Sequence, residues 1–486
     1  MPALEFTVPQ DDLARLYRLP AFRRRAGRAA AADLVWHDTA ASELAAEHLS
    51  LCNAQTSWRL ERASPVRGEL CLPGTPPRVI AEGGSCDAVG PMPMPGPLMP
   101  VAGFRGERRV LAAGSVDAAV TVLHGTIRGM AQERPACRIT LEGPAPALTA
   151  LSGQLADAVQ LEIPRWSLAT EAAAFARGWP PSPRQQGGPA ITPGTNVGDA
   201  LAIVAGHLTD VILAGVPAAS AGETAEPVHA MRVAVRRLRS ALSVFRKVAD
   251  GPARQALKPQ LQRLGVALGE SRDWDVFLAG TGQDVAAALP DDRRIAAVLA
   301  AAAKRRALAY AGLRRTLGSG EFRSLMLDLV LFAALRPWQE TADEGREERL
   351  AALSANAEAY GAHLLRHRYA QMLEAGADIA EMPAPELHEL RKQGKRLRYA
   401  AEFFAPCYGR RSTRRFVRGV SQLQEGLGHL NDGAAAGHLM EGLRGGPDTA
   451  FARGVVQGFA AAQSTGCRAI IGERWAKFRR LDRFWE

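Results

Sequence analysis

The sequence predicts a two-domain protein in which an α+β domain precedes a domain made of α-helices alone. Short segments rich in β-branched residues and bounded by Gly or Pro fill much of the first 160 residues, as strands do. A stretch dense in Pro and Gly follows, and beyond it long Ala/Leu/Arg segments show almost no strand signal. We therefore expect an α+β domain over 1–180, a linker over 181–196 and an all-α domain over 197–486.

Elements of the first domain are predicted from local patterning. Strands are expected at "ALEFTV", "RVIAE", "AVTVLHGTIRG" and "ACRITLEGP", and the segment "LTALSGQLADAVQLEI" has the apolar spacing of an amphipathic helix. The Gly-rich piece "GGPAITPGTNVG" lacks the lysine of a phosphate-binding P-loop, so it is assigned to the linker.

The helical domain contains an internal repeat. A shift of 159 residues aligns Val228–Asp273 with Leu387–Asp432 without a gap, and "VHAMRVAVRRLRSALSVF" then lies over "LHELRKQGKRLRYAAEFF". A constant offset through the whole block indicates a duplicated helical unit. We expect two helical bundles, over about 200–340 and 345–486, related by a pseudo-twofold axis.

Each aligned block begins with an amphipathic helix whose polar face is cationic. Positions i, i+3, i+7 and i+10 from the histidine share one sector of the helix, and apolar residues lie opposite. No Asp or Glu occurs between Pro227 and Ala249, although surface helices ordinarily mix both signs. We call these residues the first row and the second row: His229, Arg232, Arg236 and Arg239, and His388, Arg391, Lys395 and Arg398.

A row of this kind predicts an extended anionic ligand. Arginine forks match phosphate oxygens bidentately, and a row ~15 Å long suits a linear polyphosphate better than one small ligand. Proteins that bind single-stranded nucleic acid interleave aromatic side chains for base stacking, and the first helix offers only Phe245, on its apolar side. Nucleic acid is therefore a less favoured partner, although binding through its phosphates alone and a solvated surface face both stay open.

Charge and composition narrow the class of protein. The net charge is +10, of which residues 1–190 contribute +1 and residues 191–486 contribute +9, so the helical domain is the candidate for an anionic partner. The six cysteines include no C-x-x-C pair, so neither a disulfide framework nor a zinc site is expected. No apolar run reaches the ~18 residues of a membrane span and the N-terminus has no signal-peptide pattern. We expect a cytoplasmic protein that does not associate with membranes.

The helical part resembles the conserved-histidine α-helical domain, or CHAD. The resemblance is carried by the motif from His229 to Arg239, its copy from His388 to Arg398, and "LGESRDWDVF"; the closing "WAKFRRLDRFW" is also similar to that family's usual end. It covers roughly Pro193 to Glu486. It implies two pseudo-symmetric bundles around a basic cavity that binds inorganic polyphosphate and, in bacterial members, association with polyphosphate granules. The implied ligand contacts are both rows, with Arg237 and Arg396, which point about 80° away from the histidines, as further members.

The first 180 residues resemble the CYTH domain, the fold of the triphosphate tunnel metalloenzymes. That family opens with an E-x-E-x-K strand, and here "ALEFTV" keeps Glu5 but has Ala3 and Thr7 at the other two positions. "CRITLEGP" keeps Glu142 where the family strand has several carboxylates. The resemblance thus implies a degenerate β-barrel or tunnel domain without catalysis, metal or cofactor, because Mg²⁺-assisted hydrolysis needs clustered carboxylates. Four arginines are candidates to line such a tunnel: Arg59, Arg62, Arg105 and Arg109.

Three functions from different classes follow from these observations. The first is a non-enzymatic polyphosphate-binding protein, associated with polyphosphate granules. The second is a metal-dependent triphosphatase or polyphosphatase that uses Glu5 and Glu142 of the first domain. The third is a nucleic-acid-binding protein or scaffold without sequence preference.

Overall fold

The fold is that of a computed structural model. It describes all residues except 23–25, 63–71, 90–95, 113–116, 130–131, 180–187, 190, 341–344, 380, 444–445 and 466. Half of the predicted linker, and Cys71, therefore lie outside the described residues. The chain forms two compact units: Met1–Gly187 with Arg323–Glu340, and Gly188–Phe322 with Thr341–Glu486.

The first unit is built on an eight-stranded antiparallel sheet with strand order β1-β8-β7-β6-β2-β3-β4-β5. Its strands are β1 (Ala3–Thr7), β2 (Ala26–Asp38), β3 (Leu49–Ala54), β4 (Ser57–Arg62), β5 (Arg78–Gly83), β6 (Met99–Ala112), β7 (Ala119–Arg128) and β8 (Glu133–Glu142). Each of the four predicted strand segments is a strand, which confirms the α+β class for this part; only the second unit is all-α.

The sheet is curled into a half-barrel. Glu5 on β1 and Glu61 on β4 are far apart in the strand order, yet the charge of Glu61 helps to raise the pKa of Glu5. The strand register places both residues on the concave side. The convex side buries a core that includes Phe6 and Ile139.

Four helices accompany the sheet: α1 (Leu13–Tyr17), α2 (Glu43–Ala46), α3 (Ala145–Ala158) and α4 (Leu168–Arg177). The predicted amphipathic helix corresponds to α3, whose Leu148, Leu151 and Leu155 join the convex core. The apolar residues of α4 pack with Trp36 and Phe104 from the concave face. This helix therefore occupies part of the concave side.

The remaining helices are α5 (Val197–Ala221), α6 (Glu226–Val244), α7 (Pro252–Ala279), α8 (Thr281–Ala288), α9 (Arg293–Leu317), α10 (Gly320–Leu335), α11 (Arg346–Ser354), α12 (Ala357–Ala375), α13 (Ala384–Phe404), α14 (Arg410–Glu441), α15 (Pro447–Thr465) and α16 (Cys467–Arg479). The first residues of α12, α13 and α14 follow those of α5, α6 and α7 within one residue of the 159-residue offset. The duplicated unit is therefore a set of three helices.

Equivalent residues of the two copies meet in space. Asn196 and Asn356, which cap α5 and α12, form an isolated antiparallel bridge. The rings of Phe245 and Phe404, at the ends of α6 and α13, have centroids 6.1 Å apart. Contact between equivalent residues is what a local twofold axis produces, because such an axis places each surface patch against its own copy.

Two helices bear on the sequence-based expectations. Of the described helices, α5 is the one long and apolar enough to cross a membrane, with a mean hydropathy of 1.7 over 18 residues, half of them buried in the fold. Although α10 falls within the predicted first bundle, Leu327, Val330 and Leu335 pack into the convex core of the sheet. Residues 323–340 accordingly belong to the first compact unit.

Candidate polyanion-binding site

The first row lies on α6, which the local sequence specifies as an amphipathic helix. Pro227 occupies its first turn, where a missing N–H costs nothing. Met231, Leu238 and Leu242 are buried along one side. Of the row itself, His229, Arg232 and Arg236 are half-buried and Arg239 is exposed.

The second row lies on α13 in the same arrangement. Leu390, Leu397 and Phe404 are buried, while Arg391, Lys395 and Arg398 are half-buried and His388 is exposed. Each helix thus presents its cations on the side opposite to its core residues, as the spacing predicts.

The two rows converge because α6 and α13 pack against each other. Burial lowers the pKa of Lys395 to about 8, assisted by Arg391 and Arg398 of its own helix and by Arg232 and Arg236 of the other copy. Burial, and then the charges of Arg232 and Arg398, likewise lower the pKa of Arg236, which Tyr399 partly offsets. Like charges from both copies are therefore held close together.

The middle of the two rows is poor in acidic partners. Among the described residues, no carboxylate oxygen lies within ion-pair distance of Arg236, Arg391 or Lys395. The Nε atoms of Arg236 and Arg391 are also buried without a hydrogen-bond partner. Because buried donors cost free energy when they are unpaired, this centre is complementary to an acceptor-rich anion.

Tyr399 holds one cation from each copy. Its ring is 2% exposed, and its centroid lies 5.5 Å from the guanidinium carbon of Arg236 and 5.1 Å from that of Arg398. The Nη2 of Arg398 is 3.5 Å from the Tyr399 hydroxyl. These cation–π contacts fix the two guanidinium groups relative to each other.

A glycine lies beneath one arginine in each row. A Cβ added at Gly269 would lie 3.8 Å from Arg232 Nε, and one added at Gly428 would lie 3.2 Å from Arg391 Nη2. The two glycines are an identical pair in the repeat alignment. Each arginine therefore lies close to the backbone of α7 or α14, and a side chain at Gly428 would crowd Arg391.

Asp273 and Glu402 contact the rows. Asp273 Oδ1 lies 3.9 Å from Arg232 Nη2. Glu402 accepts from Arg237 and lies 3.6 Å from Arg398 Nε. Arg237 thus ties α6 to α13 through a carboxylate, whereas Arg396 is exposed and its carbonyl accepts from Arg368 Nη1 at 2.6 Å.

The two histidines differ in environment. Burial, and then the charge of Arg272, lower the pKa of His229 below its usual value. His388 is exposed at the start of α13. A phosphate beside His229 would raise its pKa again, because a nearby negative charge favours the imidazolium.

The concave side of the sheet has a different electrostatic character. Arg138 is 5% exposed, with its Nε 3.0 Å from Glu5 Oε1 and its Nη2 2.8 Å from Glu171 Oε1. Arg59, on the same face, pairs with Glu82 at 3.0 Å. Arg138 and Arg59 are thus already matched by carboxylates.

The other arginines predicted to line a tunnel do not lie on the concave side with Arg59 and Arg138. The strand register places Arg62, Arg105 and Arg109 on the opposite face of the sheet from Arg59. Arg109 stacks over the Tyr17 ring at 4.9 Å. Arg105 is exposed and lies 3.6 Å from Asp33.

The residues of the concave side do not fit a Mg²⁺ ion. Burial raises the pKa of Glu5 to about 7, although Arg138 opposes the shift, and Glu142 is exposed at the end of β8, opposite Ala3 rather than Glu5. Among the described residues, no group of three His, Cys, Asp or Glu side chains could hold a metal ion. A hard cation needs several carboxylate oxygens directed at one point.

Sequence reasoning found both rows but missed Tyr399 and Glu402. The repeat alignment pairs them with Ser240 and Ser243. The signal in the sequence is therefore the divergence of the two copies beside otherwise matching cations.

Comparisons with known proteins identify the helical part. Residues 202–441 match the family model for the CHAD domain. The CHAD domain from the plant Ricinus communis is similar, with 29% sequence identity, a TM-score of 0.51, and coverage of 60% of this chain and 94% of that chain. No curated protein sequence matches the chain.

Two further solved structures have lower similarity. PptA from Streptomyces chartreusis is 16% identical with a TM-score of 0.42, covering 58% of this chain and all of that chain. A putative adenylyl cyclase from Hippeastrum, HpAC1, described as having a dominant triphosphatase activity, is 17% identical with a TM-score of 0.27, covering 37% of this chain and 97% of that chain.

Proposed function

Since residues 202–441 form a CHAD domain, we propose that this chain binds inorganic polyphosphate along the two rows. Binding occurs without catalysis, in the cytoplasm, and recruits the protein to polyphosphate granules. Cationic residues of both copies bind the same polyphosphate chain.

One observation carries the proposal: among the described residues, Arg236, Arg391 and Lys395 at the middle of the two rows have no carboxylate within ion-pair distance and lie among other cations. Arg232 and Arg236 contribute to the lowered pKa of Lys395 across the boundary between the copies. Such an arrangement is unfavourable in the ligand-free chain, and a polyanion removes the cost by placing negative charge between the rows. A linear chain of phosphates supplies that charge repeatedly along the length of a helix.

Nucleic acid is less well supported as the partner. Base recognition in single strands relies on accessible aromatic rings, and the Tyr399 ring is buried between Arg236 and Arg398. A duplex offers phosphates spaced by sugars, whereas polyphosphate presents oxygens on every unit to bidentate arginine forks.

The half-barrel supports a protein without hydrolytic activity. Glu5, the residue retained from the family's opening strand, is engaged by Arg138, so it is not available to hold a metal ion. We therefore assign the first unit no step of metal-assisted phosphate chemistry.

The experiment is a binding titration of long-chain polyphosphate against the full chain and a double variant, Arg236→Gln with Lys395→Gln. Two lost charge-assisted contacts should weaken binding about 100-fold. The matched control is Arg314→Gln with Arg315→Gln, which removes the same charge from exposed positions on α9 and should change affinity far less.

Salt and competitors separate the alternatives. Polyphosphate should displace bound double-stranded DNA, while DNA should displace polyphosphate poorly at every salt concentration. Equal affinity for both polymers, with the same dependence on salt, would show that the rows bind polyanions without preference for polyphosphate. An unchanged affinity in the double variant, or phosphate release that requires Mg²⁺ or Mn²⁺, would contradict the proposal.

A further inference from the structure

The first half of α14 carries a third cationic face outside the two rows. Arg411, Arg414 and Arg418 are exposed and stand at i, i+3 and i+7, the spacing that the rows also have. No Asp or Glu occurs from residue 410 to residue 424. We call Arg411, Arg414 and Arg418 the α14 track.

The track leads directly to the second row. Ser421 stands at i+10 from Arg411, on the same side of α14, and its Oγ accepts from Nη1 of Arg398 at 3.4 Å. Arg398 is the last member of the second row. The track therefore begins about one helical turn from the row and extends ~15 Å away from it.

The far end of the track is also the positive end of a long helix. α14 has 32 residues, and its N-cap, Gly409, provides no side-chain acceptor for the first backbone N–H groups. The helix dipole adds partial positive charge at this end. At the edge of this face, Asp482 Oδ2 lies 3.3 Å from Arg415 Nη1.

The track exists in one copy only. At the equivalent positions of α7, 159 residues earlier, the chain has Pro252, Gln255, Pro259 and Gln262. The duplicated fold therefore does not require arginine there, because α7 forms the same helix without it. The arginines at the three positions of the track therefore distinguish α14 from α7.

We propose that the α14 track extends the binding site, so that a long polyphosphate leaves the two rows past Arg398 and continues along α14. This inference rests on the proposed function and adds two properties to it. The protein distinguishes long chains from short ones, and a bound polymer leaves the site on the side of the second copy.

The test compares two chain lengths on the full protein. The short ligand is a polyphosphate no longer than the ~15 Å of one row, and the long ligand is several times that length. In the variant Arg411→Gln, Arg414→Gln, Arg418→Gln, affinity for the long ligand should fall about tenfold. The slope of log affinity against log salt concentration should become shallower by about two, because fewer counterions are released on binding. Affinity for the short ligand should stay within a factor of about two, because both rows are intact.

The control variant is Lys304→Gln, Arg314→Gln, Arg315→Gln, which removes three exposed cations from α9. It should not reproduce the chain-length effect. Equal losses of affinity for both lengths in the α14 variant, or no loss of affinity for the long chain, would contradict the proposal that the α14 track extends the site. Neither result would contradict the proposed function. Failure of the unmodified protein to bind either length would overturn both. All six substitutions are at exposed positions, and circular dichroism would verify that both variants fold.

Discussion

The half-barrel and the paired rows use the same side chain in opposite ways. On the concave side of the sheet, Arg138 is buried between Glu5 and Glu171, and the charges cancel locally. Between α6 and α13, Arg236 and Lys395 are half-buried with other cations as their charged neighbours. The first arrangement is complete without a ligand, whereas the second becomes favourable only when an anion joins it.

The difference shows how to separate structural from ligand-binding arginines. A buried guanidinium with a carboxylate at hydrogen-bond distance stabilises the fold, and its removal leaves an uncompensated charge. A guanidinium whose neighbours are also cations costs stability in the free protein, so its retention indicates a binding role. Three measurements test this division, beginning with the largest effect.

Replacement of Arg138 should destabilise the first unit most. In Arg138→Met, the carboxylates of Glu5 and Glu171 lose their shared partner in a buried site, which should lower the free energy of unfolding by about 3 kcal/mol. Denaturant titration followed by circular dichroism measures this. Arg134→Met is the matched control: its guanidinium is 47% exposed and lies 3.0 Å from Glu171, so its loss should cost at most about 1 kcal/mol. Polyphosphate affinity unchanged in both variants would agree with the division; a strong loss of binding in Arg138→Met would contradict it.

Polyphosphate affinity should depend on pH through Lys395. Its pKa is lowered to about 8 in the free chain, so a rise from pH 7 to pH 9 removes its charge, and affinity should fall about tenfold. The sign for stability is opposite: with a folded-state pKa below the unfolded value, the free protein gains stability as pH rises above about 8.

Lys395→Arg provides the control because arginine stays charged through this range. The variant should bind as tightly at pH 9 as at pH 7. If the affinity of this variant fell as much as that of the unmodified protein, a group other than Lys395 would be responsible for the pH dependence of binding.

Glu402→Gln should produce the smallest change, in the direction of tighter binding. Removal of the carboxylate frees Arg237 and Arg398, so affinity for polyphosphate should rise about threefold. Glu389→Gln removes the same charge from an exposed residue of α13 that pairs with Lys392 at 2.7 Å, and should raise affinity less. Equal increases in the two variants would show that only net charge matters.

The sequence predicted the rows because helical periodicity and a fixed offset both constrain them. Because Met231 and Leu238 define the apolar face of the helix, the cations must lie on the opposite face. The same pattern occurs in both copies, which makes a chance origin improbable. Tyr399 and Glu402 could not be predicted in this way, because each is present in one copy and acts on residues of the other. Their roles depend on how α6 and α13 pack, which periodicity does not contain.

Four strands of the half-barrel, β2, β3, β4 and β6, were not predicted, and two of them, β2 and β6, show a related reason. β2 contains the run Ala29–Ala32, and β6 is rich in arginine, compositions that do not favour strands by local preference. They lie next to each other in the middle of the sheet, where pairing on both sides overrides that preference. Likewise, the pattern of α10 predicts a helix but does not specify which core its leucines enter.

The placement of α10 affects how the protein unfolds and how it can be divided. The chain passes between the two compact units three times, near residues 187, 322 and 340. A truncation that begins in the linker would keep α10 but delete the sheet that covers Leu327, Val330 and Leu335, which exposes an apolar stripe and favours aggregation. Unfolding of the half-barrel likewise exposes these leucine and valine side chains in a segment that is joined at both ends to the helical unit. We therefore expect the two units to unfold cooperatively rather than independently.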